Sequence, residues 1–386
     1  MRSLILFLAF TALSAEAVTE NHPDGSKALS VAIDKDGKRD GALSAWWPGG
    51  KVLKEKSKWD KGELHGLRML YDEKGKPTVE ETWIRGRLIY PRSQAQVTTG
   101  LARIEAETMA LLPTWPKSGN PSAPAPADEA KAMAKLRQYR WLVGLAYDVT
   151  IEPKHTDEAQ KGAEILAALG KLDHHPAKPA GWNDADYKKA KNACWHGNLA
   201  MGVGDLGRSV DMWMDDSDQS NIDVLGHRRW MLNPVMQTCG YGISGKYSVI
   251  WAHDGARKDP TAQQWQAFPP PGFMPVSHFG DRYAWHISLN PAEYTIDLKA
   301  TTFVIHVLDA QLKRQGAPLP LDHDGSNGDG YGCYKNARIV RPDAKSAVNG
   351  QKGYAVAKGR SYEAVVGGLK PKGNAPAEII WIVTFY

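Results

Sequence analysis

The chain has 386 residues, 42% of them hydrophobic and 24% charged, which is long enough for two or three cores and excludes a disordered polymer. A formal charge of +5 is spread without a Lys/Arg block or an interleaved aromatic platform, so no nucleic acid is expected as a partner. With three cysteines, Cys194, Cys239 and Cys333, at most one intramolecular disulfide can form, and disulfides are not the scaffold.

The first residues, MRSLILFLAFTALSAEA, place one Arg before an apolar run from Leu4 to Leu13 and end on small residues at Ala15 and Ala17. That is the pattern of a secretory signal peptide over 1–17, too short to anchor in a bilayer. The expectation is a protein secreted to the periplasm or the extracellular medium, with no transmembrane anchor after cleavage.

Residues 41–65 and 66–89 align with each other after a one-residue gap, pairing Gly41 with Gly66, Trp46 with Tyr71, Gly50 with Gly75, Trp59 with Trp83 and Gly62 with Gly86. Glycines mark hairpin turns and aromatics mark packed strands. A unit of this size cannot bury its face alone, so β-hairpin repeats over 34–91 should stack into a sheet. They resemble MORN-like repeats, and nothing in them collects an acid, a base and a ligand.

Residues 92–127 read as a helix followed by a semi-rigid Pro/Ala-rich linker, PKSGNPSAPAPA, with a domain boundary near 127. Asp128 then caps a helical pattern that ends toward Gly144, and Thr156 opens a second that ends at Gly170. A third helix is expected over Asp184–Ala193, a fourth over Arg208–Asp215, and a strand at YSVIWA, 247–252.

Between these elements stand LDHHP (172–176), CWHGNLAMG (194–202), SVDMWMDD (209–216), LGHRRWMLNP (225–234) and CGYG (239–242). In this order they resemble the CAP superfamily of cysteine-rich secretory and pathogenesis-related proteins, and within it the bacterial SCP-like branch, which carries W-M-x-x, G-H-R, L-N-P and G-x-G. The resemblance covers 128–255 and implies an α-β-α sandwich whose cleft is lined, in many members, by two histidines and two acids that can hold a divalent ion such as zinc.

Carried over position by position, the resemblance places His174 and His227 as the two histidines and Asp216 as one acid, with Asp215 able to substitute if the register slips by one. The other acidic position is filled by Gly197, so one acid is missing. Two imidazoles and a carboxylate are a workable zinc set with water as the fourth ligand. The competing reading of His227 is structural, its ring bonded to backbone or Asp216 while Arg228 and Arg229 pair with Asp215, Asp218 or Asp223. Trp230, Met231 and Leu232 read as core, and Cys194 and Cys239 could pair if their Cα atoms lie about 6 Å apart.

Residues 256–293, Pro-rich and aromatic, read as an irregular connector over the central domain. From 294 to 386 the β-branched segments TFVIHVLD and EIIWIVTFY fit a C-terminal β-sandwich. Within it DHDGSNGDG sets Asp322, Asp324, Asn327 and Asp329 in the alternation of a calcium loop, or of a tight Gly/Asp turn.

The fold class expected is therefore multidomain α+β. The function expected is a binding module for a lipid, peptide or cell-wall ligand, with no cofactor required. The alternative is a divalent-metal-assisted hydrolase of peptide or peptidoglycan bonds using His174, His227 and Asp216.

Overall fold

The structure is a computed structural model that describes residues 16–386 apart from 261–262, 296, 333, 335, 346, 349–350 and 353. The signal peptide expected over 1–17 lies almost wholly outside the described residues, and Cys333 does too. The chain divides into two compact units, Met1–Gln96 and Val97–Tyr386. No helix among the described residues is long and apolar enough to cross a membrane.

The described part of the first unit is an eight-stranded antiparallel sheet running from Glu16 to Tyr90. The internal repeat appears in its register: Gly41 faces Trp59 across one strand pair and Gly66 faces Trp83 across the next. The turns Lys61-Gly62 and Arg85-Gly86 repeat too, with positive φ at both central residues, as two-residue hairpin turns with the twist of the strands require. The sheet begins earlier than expected, since the strands Glu16–Asn21 and Lys27–Ile33 join it.

Helix α1 (Gln94–Met109) begins at the end of the first unit, and the second unit continues with α2 (Pro126–Leu142), α3 (Pro153–Leu169), α4 (Asp184–His196), α5 (Leu206–Asp215) and the short α6 (Gly226–Met231). Two starts differ from expectation because Pro126 and Pro153 occupy first-turn positions where a missing N–H costs nothing. Asp128 accordingly sits in the first turn of α2 instead of capping it. Gly170 ends α3 in the left-handed conformation, as its lack of a Cβ allows.

The strands Gly197–Met201, Tyr247–Trp251 and Tyr241–Ser244 form a three-stranded antiparallel sheet. Its alternating side chains feed two different cores. Leu199, Val249 and Trp251 join Ala159, Ala163 and Leu166 of α3 and Ala190 and Cys194 of α4. Ala200, Tyr241 and Ile250 join Met133, Leu136 and Tyr139 of α2 and Val210 and Trp213 of α5. Period-two strands between helical faces produce this two-sided burial. The pair Gly240 and Gly242 lets the sheet approach α3 directly: a Cβ at either would stand 2.2 Å from helix backbone, at Thr156 N and Ala159 C.

The C-terminal part contains two four-stranded sheets. One orders Trp265–Phe268, Trp285–Leu289, Asn336–Pro342 and Leu321–Asn327, the other Gly272–Met274, Ile379–Phe385, Ser361–Gly367 and Thr302–Leu308. The segment expected as an irregular connector thus supplies three strands, which its Pro and Gly punctuation concealed. The sandwich interior is also continuous with the helical core, since Trp285, Phe303, Trp381 and Phe385 share a cluster with Met133 and Trp213.

Candidate functional site

Helix α5 ends at Asp215, and Asp216 follows with φ 46°, a left-handed turn that aims its buried carboxylate at α6. There Oδ1 takes the Nδ1 of His227 at 2.7 Å and Oδ2 accepts the backbone N–H of Arg228 at 3.2 Å. Both carboxylate oxygens are committed to protein donors, so Asp216 orients His227 here. The ring is further located by Asn198, a buried residue whose Nδ2 donates to the His227 carbonyl at 3.0 Å.

Burial opposes a charge on His227, but the carboxylate of Asp216, as counter-charge and as acceptor, outweighs it; with Asp218 adding its charge, the pKa rises above the ordinary value. His174 precedes α4 and is held by Nδ1 to the Cys194 carbonyl at 2.7 Å. His174 is exposed as a residue, yet desolvation by its surroundings, with the neighbouring charge of His227, outweighs that carbonyl and lowers its pKa. The two histidines therefore lie close enough to sense each other, with Nδ1 engaged and Nε2 directed away from these partners.

The neighbourhood holds two histidines that motif reading did not assign to the site. His196 ends α4 and stacks on Trp251 with ring centroids 4.8 Å apart, while His253 stacks on Trp230 at 3.7 Å. Burial, then the charges of His196, His174 and His227, push the pKa of His253 down to about 4. The main chain brings the two together, because Ala252 and His253 both donate their N–H to the His196 carbonyl. Their only sequence signal is the strand pairing of Gly197 with Trp251, a register invisible before the sheet is known. Trp230, expected as core, is half-buried and faces this cluster.

The arginines of the G-H-R-R run do other work than the ion pairs expected of them. Arg228 is fully buried; it donates to the Met214 carbonyl at 2.6 Å, the Asp215 carbonyl at 2.5 Å and the Ala284 carbonyl at 2.6 Å, and lies over Phe268. It thereby satisfies carbonyls at the end of α5 that have no partner within the helix. Burial drops its pKa to about 10, against the pull of Asp216 and Asp215. Arg229 donates to Asn327 Oδ1 at 2.8 Å and to the carbonyl of Asp329 at 2.7 Å.

The residues of the expected calcium loop make contacts within the chain. Leu321–Asn327 is a strand; Asp322 pairs with Arg341 at 2.7 Å, Asp324 with Arg338, and Asn327 and Asp329 serve Arg229.

The missing acid has a steric counterpart. A Cβ at Gly197 would stand 2.5 Å from the Ala193 carbonyl oxygen and 2.8 Å from that of Ile250, so the backbone leaves no room for a glutamate. Among the described residues no group of three or more His, Cys, Asp or Glu side chains is set to hold a metal ion. Cys194 and Cys239 are both free, buried thiols, so the pairing the sequence left open is not made; they sit in the separate cores on the two sides of the sheet. Burial pushes the Cys194 thiol up to about 12.

A family model described as the cysteine-rich secretory protein family, CAP, matches residues 132–250. The match spans α2 to the strand Tyr247–Trp251 and supports the CAP superfamily for this segment. No curated protein and no solved structure matches the chain.

Proposed function

We propose that the chain, whose central segment matches the cysteine-rich secretory family, is an exported SCP-like binding protein that holds a lipid, peptide or cell-wall ligand at the His174–His227 pair. The observation that carries this reading is the pair of 2.7 Å bonds that engage Nδ1 of each ring, to Asp216 and to the Cys194 carbonyl, and leave each Nε2 for an outside partner. Asp216 favours the protonated form of His227, in which Nε2–H is a donor suited to a phosphate, carboxylate or carbonyl oxygen. The stacked rings of Trp230 and His253 beside it suit the apolar part of such a ligand. The apolar run and small residues of the sequence over 1–17, in the pattern of a signal peptide, support the proposed location.

The test titrates the mature protein with three probes, a short-chain phosphatidylglycerol, a muropeptide and an acidic peptide, and repeats the titration with the His174→Ala/His227→Ala variant. Saturable binding of one probe, weakened at least about tenfold in the variant, is expected, a loss of about 1.4 kcal/mol. Equal affinities in the two proteins, or no binding of any probe, would overturn the reading.

A second reading, divalent-metal-assisted hydrolysis, draws on the same geometry, since a metal-ligating histidine ordinarily gives its other ring nitrogen to a carboxylate or carbonyl. His174 and His227 would then supply two of the ligands and Asp216 would orient one of them, while a bound ion would activate water. The closed space at Gly197 denies this arrangement the second acid. Zinc near one equivalent in the purified protein, lost in the double variant and accompanied by peptide or peptidoglycan turnover, would favour it over simple binding.

A further inference from the structure

Helix α4 turns Ala190, Ala193 and Cys194 into the interior, and its outward side collects cations and an aromatic ring. Lys188, Lys191 and Trp195 follow one another at the i, i+3, i+7 spacing that aligns side chains along one helix face. With Lys189, Asn192 and, from α3, Glu158, they line a groove of about 370 Å³. That size falls within the roughly 300–1,000 Å³ of small-molecule sites.

Trp195 is 53% exposed, more than any other large hydrophobic side chain among the described residues. His175 flanks its ring with centroids 4.9 Å apart. A rigid, flat indole on the rim of a groove offers a ligand apolar contact at a small ordering cost.

The polar groups of the groove are only partly engaged. Asn192 donates from Nδ2 to Glu158 Oε2 at 2.6 Å, and its Oδ1 accepts no hydrogen bond among the described residues. Glu158 Oε1 is met, among the same residues, only by the exposed Lys154 ammonium at 4.0 Å. Lys189 is held by Asp157 at 2.7 Å, whereas Lys188 and Lys191 make no hydrogen bond or ion pair among the described residues. Two unanswered ammonium groups and two acceptor oxygens thus stand along the same groove as the exposed ring.

We propose that this groove binds a saccharide that carries carboxylates, with a pyranose ring laid on Trp195, hydroxyls donating to the Asn192 and Glu158 oxygens, and a carboxylate taken by Lys188 and Lys191. A pyranose joins an apolar C–H face to a rim of hydroxyls, which matches an indole beside acceptor oxygens; the unpaired lysines add the preference for negative charge. A flat anionic lipid surface would meet the protruding ring and the lysines, but it would also cover the recessed Glu158–Asn192 pair without supplying donors, which is costly. The inference does not rest on ligand binding at the histidine pair.

Calorimetric titration of the full mature chain at low ionic strength tests it with trigalacturonate as the probe, compared with its neutral methyl ester and with vesicles of phosphatidylglycerol. The trimer should bind saturably, and the ester at least about tenfold more weakly. Trp195→Ala, a change at an exposed residue, should weaken the trimer at least about tenfold while the thermal midpoint stays the same. The Lys188→Gln/Lys191→Gln protein should bind the trimer only as well as the ester and leave the ester unaffected. Lys35→Gln/Lys51→Gln, which removes the same charge from exposed positions of the first unit, should bind the trimer like the wild type. Absence of saturable binding by the trimer, equal binding of trimer and ester, wild-type affinity in either groove variant, or binding of the vesicles alone that these variants lose would overturn the proposal.

Discussion

His227 and Asp216 form a pair in which a buried carboxylate fixes the tautomer and tilt of an imidazole, and the other carboxylate oxygen is tied to the Arg228 N–H. The ring pKa should accordingly lie above 6.5 in the intact protein and fall below it in Asp216→Asn, where the desolvation of the ring remains and its counter-charge does not. An NMR pH titration of the histidine rings measures both values, and an unchanged His227 pKa in the variant would refute the pairing. His174, Asp216 and His227 were legible in the sequence through motif order, because they come from distant segments whose spacing says nothing. The role of Asp216 as orienter, and the joining of His196 and His253 to the cluster, depend on side-chain direction and strand register, which motif order does not encode. The glycine at 197 reads in the sequence as a lost acid, whereas its reason, two carbonyl oxygens within 3 Å of where a Cβ would be, belongs to the packed structure.

At the scale of elements, α3 and the strand Tyr241–Ser244 meet backbone to backbone, and Gly242 is the point of contact. Replacing it with alanine drives a methyl group into the Ala159 carbonyl region, where neither partner can rotate away. Gly242→Ala should destabilise the protein by about 1–3 kcal/mol or more, read as a lower urea midpoint. Gly255→Ala, at a position with open space and no positive φ, should leave the midpoint nearly unchanged. Equal midpoints for the two variants would contradict the close approach. The helices of this segment were legible because their apolar periodicity and their ends are local signals; Gly170 stops α3 as expected. The strands Trp265–Phe268, Gly272–Met274 and Trp285–Leu289 were not, because short buried strands between prolines carry little alternation and draw their stability from pairing partners far along the chain.

Within the second unit the largest apolar cluster runs from α1 and α2 into the C-terminal strands, so residues on both sides of 255 and 293 share one interior, while α3 and α4 pack in a separate cluster. Composition marks changes of secondary structure along the chain and cannot tell whether two such regions share a core. That core also contains neutral histidines. His278 packs its ring against Tyr139 and hydrogen-bonds to Gln138, and burial pushes its pKa down to about 3; His286, fully buried beside Arg228, is lowered as well, as is His253, to about 4. In the unfolded chain each takes up a proton near pH 6.5. Protons therefore favour unfolding, and the stability these groups contribute above pH 6.5 is lost progressively as the pH falls toward 4. His227 acts in the opposite sense, its contribution being lost as the pH rises through its raised pKa, but it is one group against several. The thermal midpoint should fall steadily from pH 7 to pH 4, and His278→Gln should flatten part of that slope; a midpoint independent of pH over this range would count against neutral burial of these rings.

Ligand binding at the histidine pair requires that the outward nitrogens of His174 and His227 be the groups that meet the ligand. Long-range proton–nitrogen spectra of the histidine rings, recorded as the probe that binds most tightly among the phosphatidylglycerol, muropeptide and peptide is added, observe those nitrogens directly. The Nε2 resonances of both residues should shift together along the binding curve, while His278, enclosed in the core, stays fixed. Saturable binding that moves neither nitrogen would contradict the proposed site.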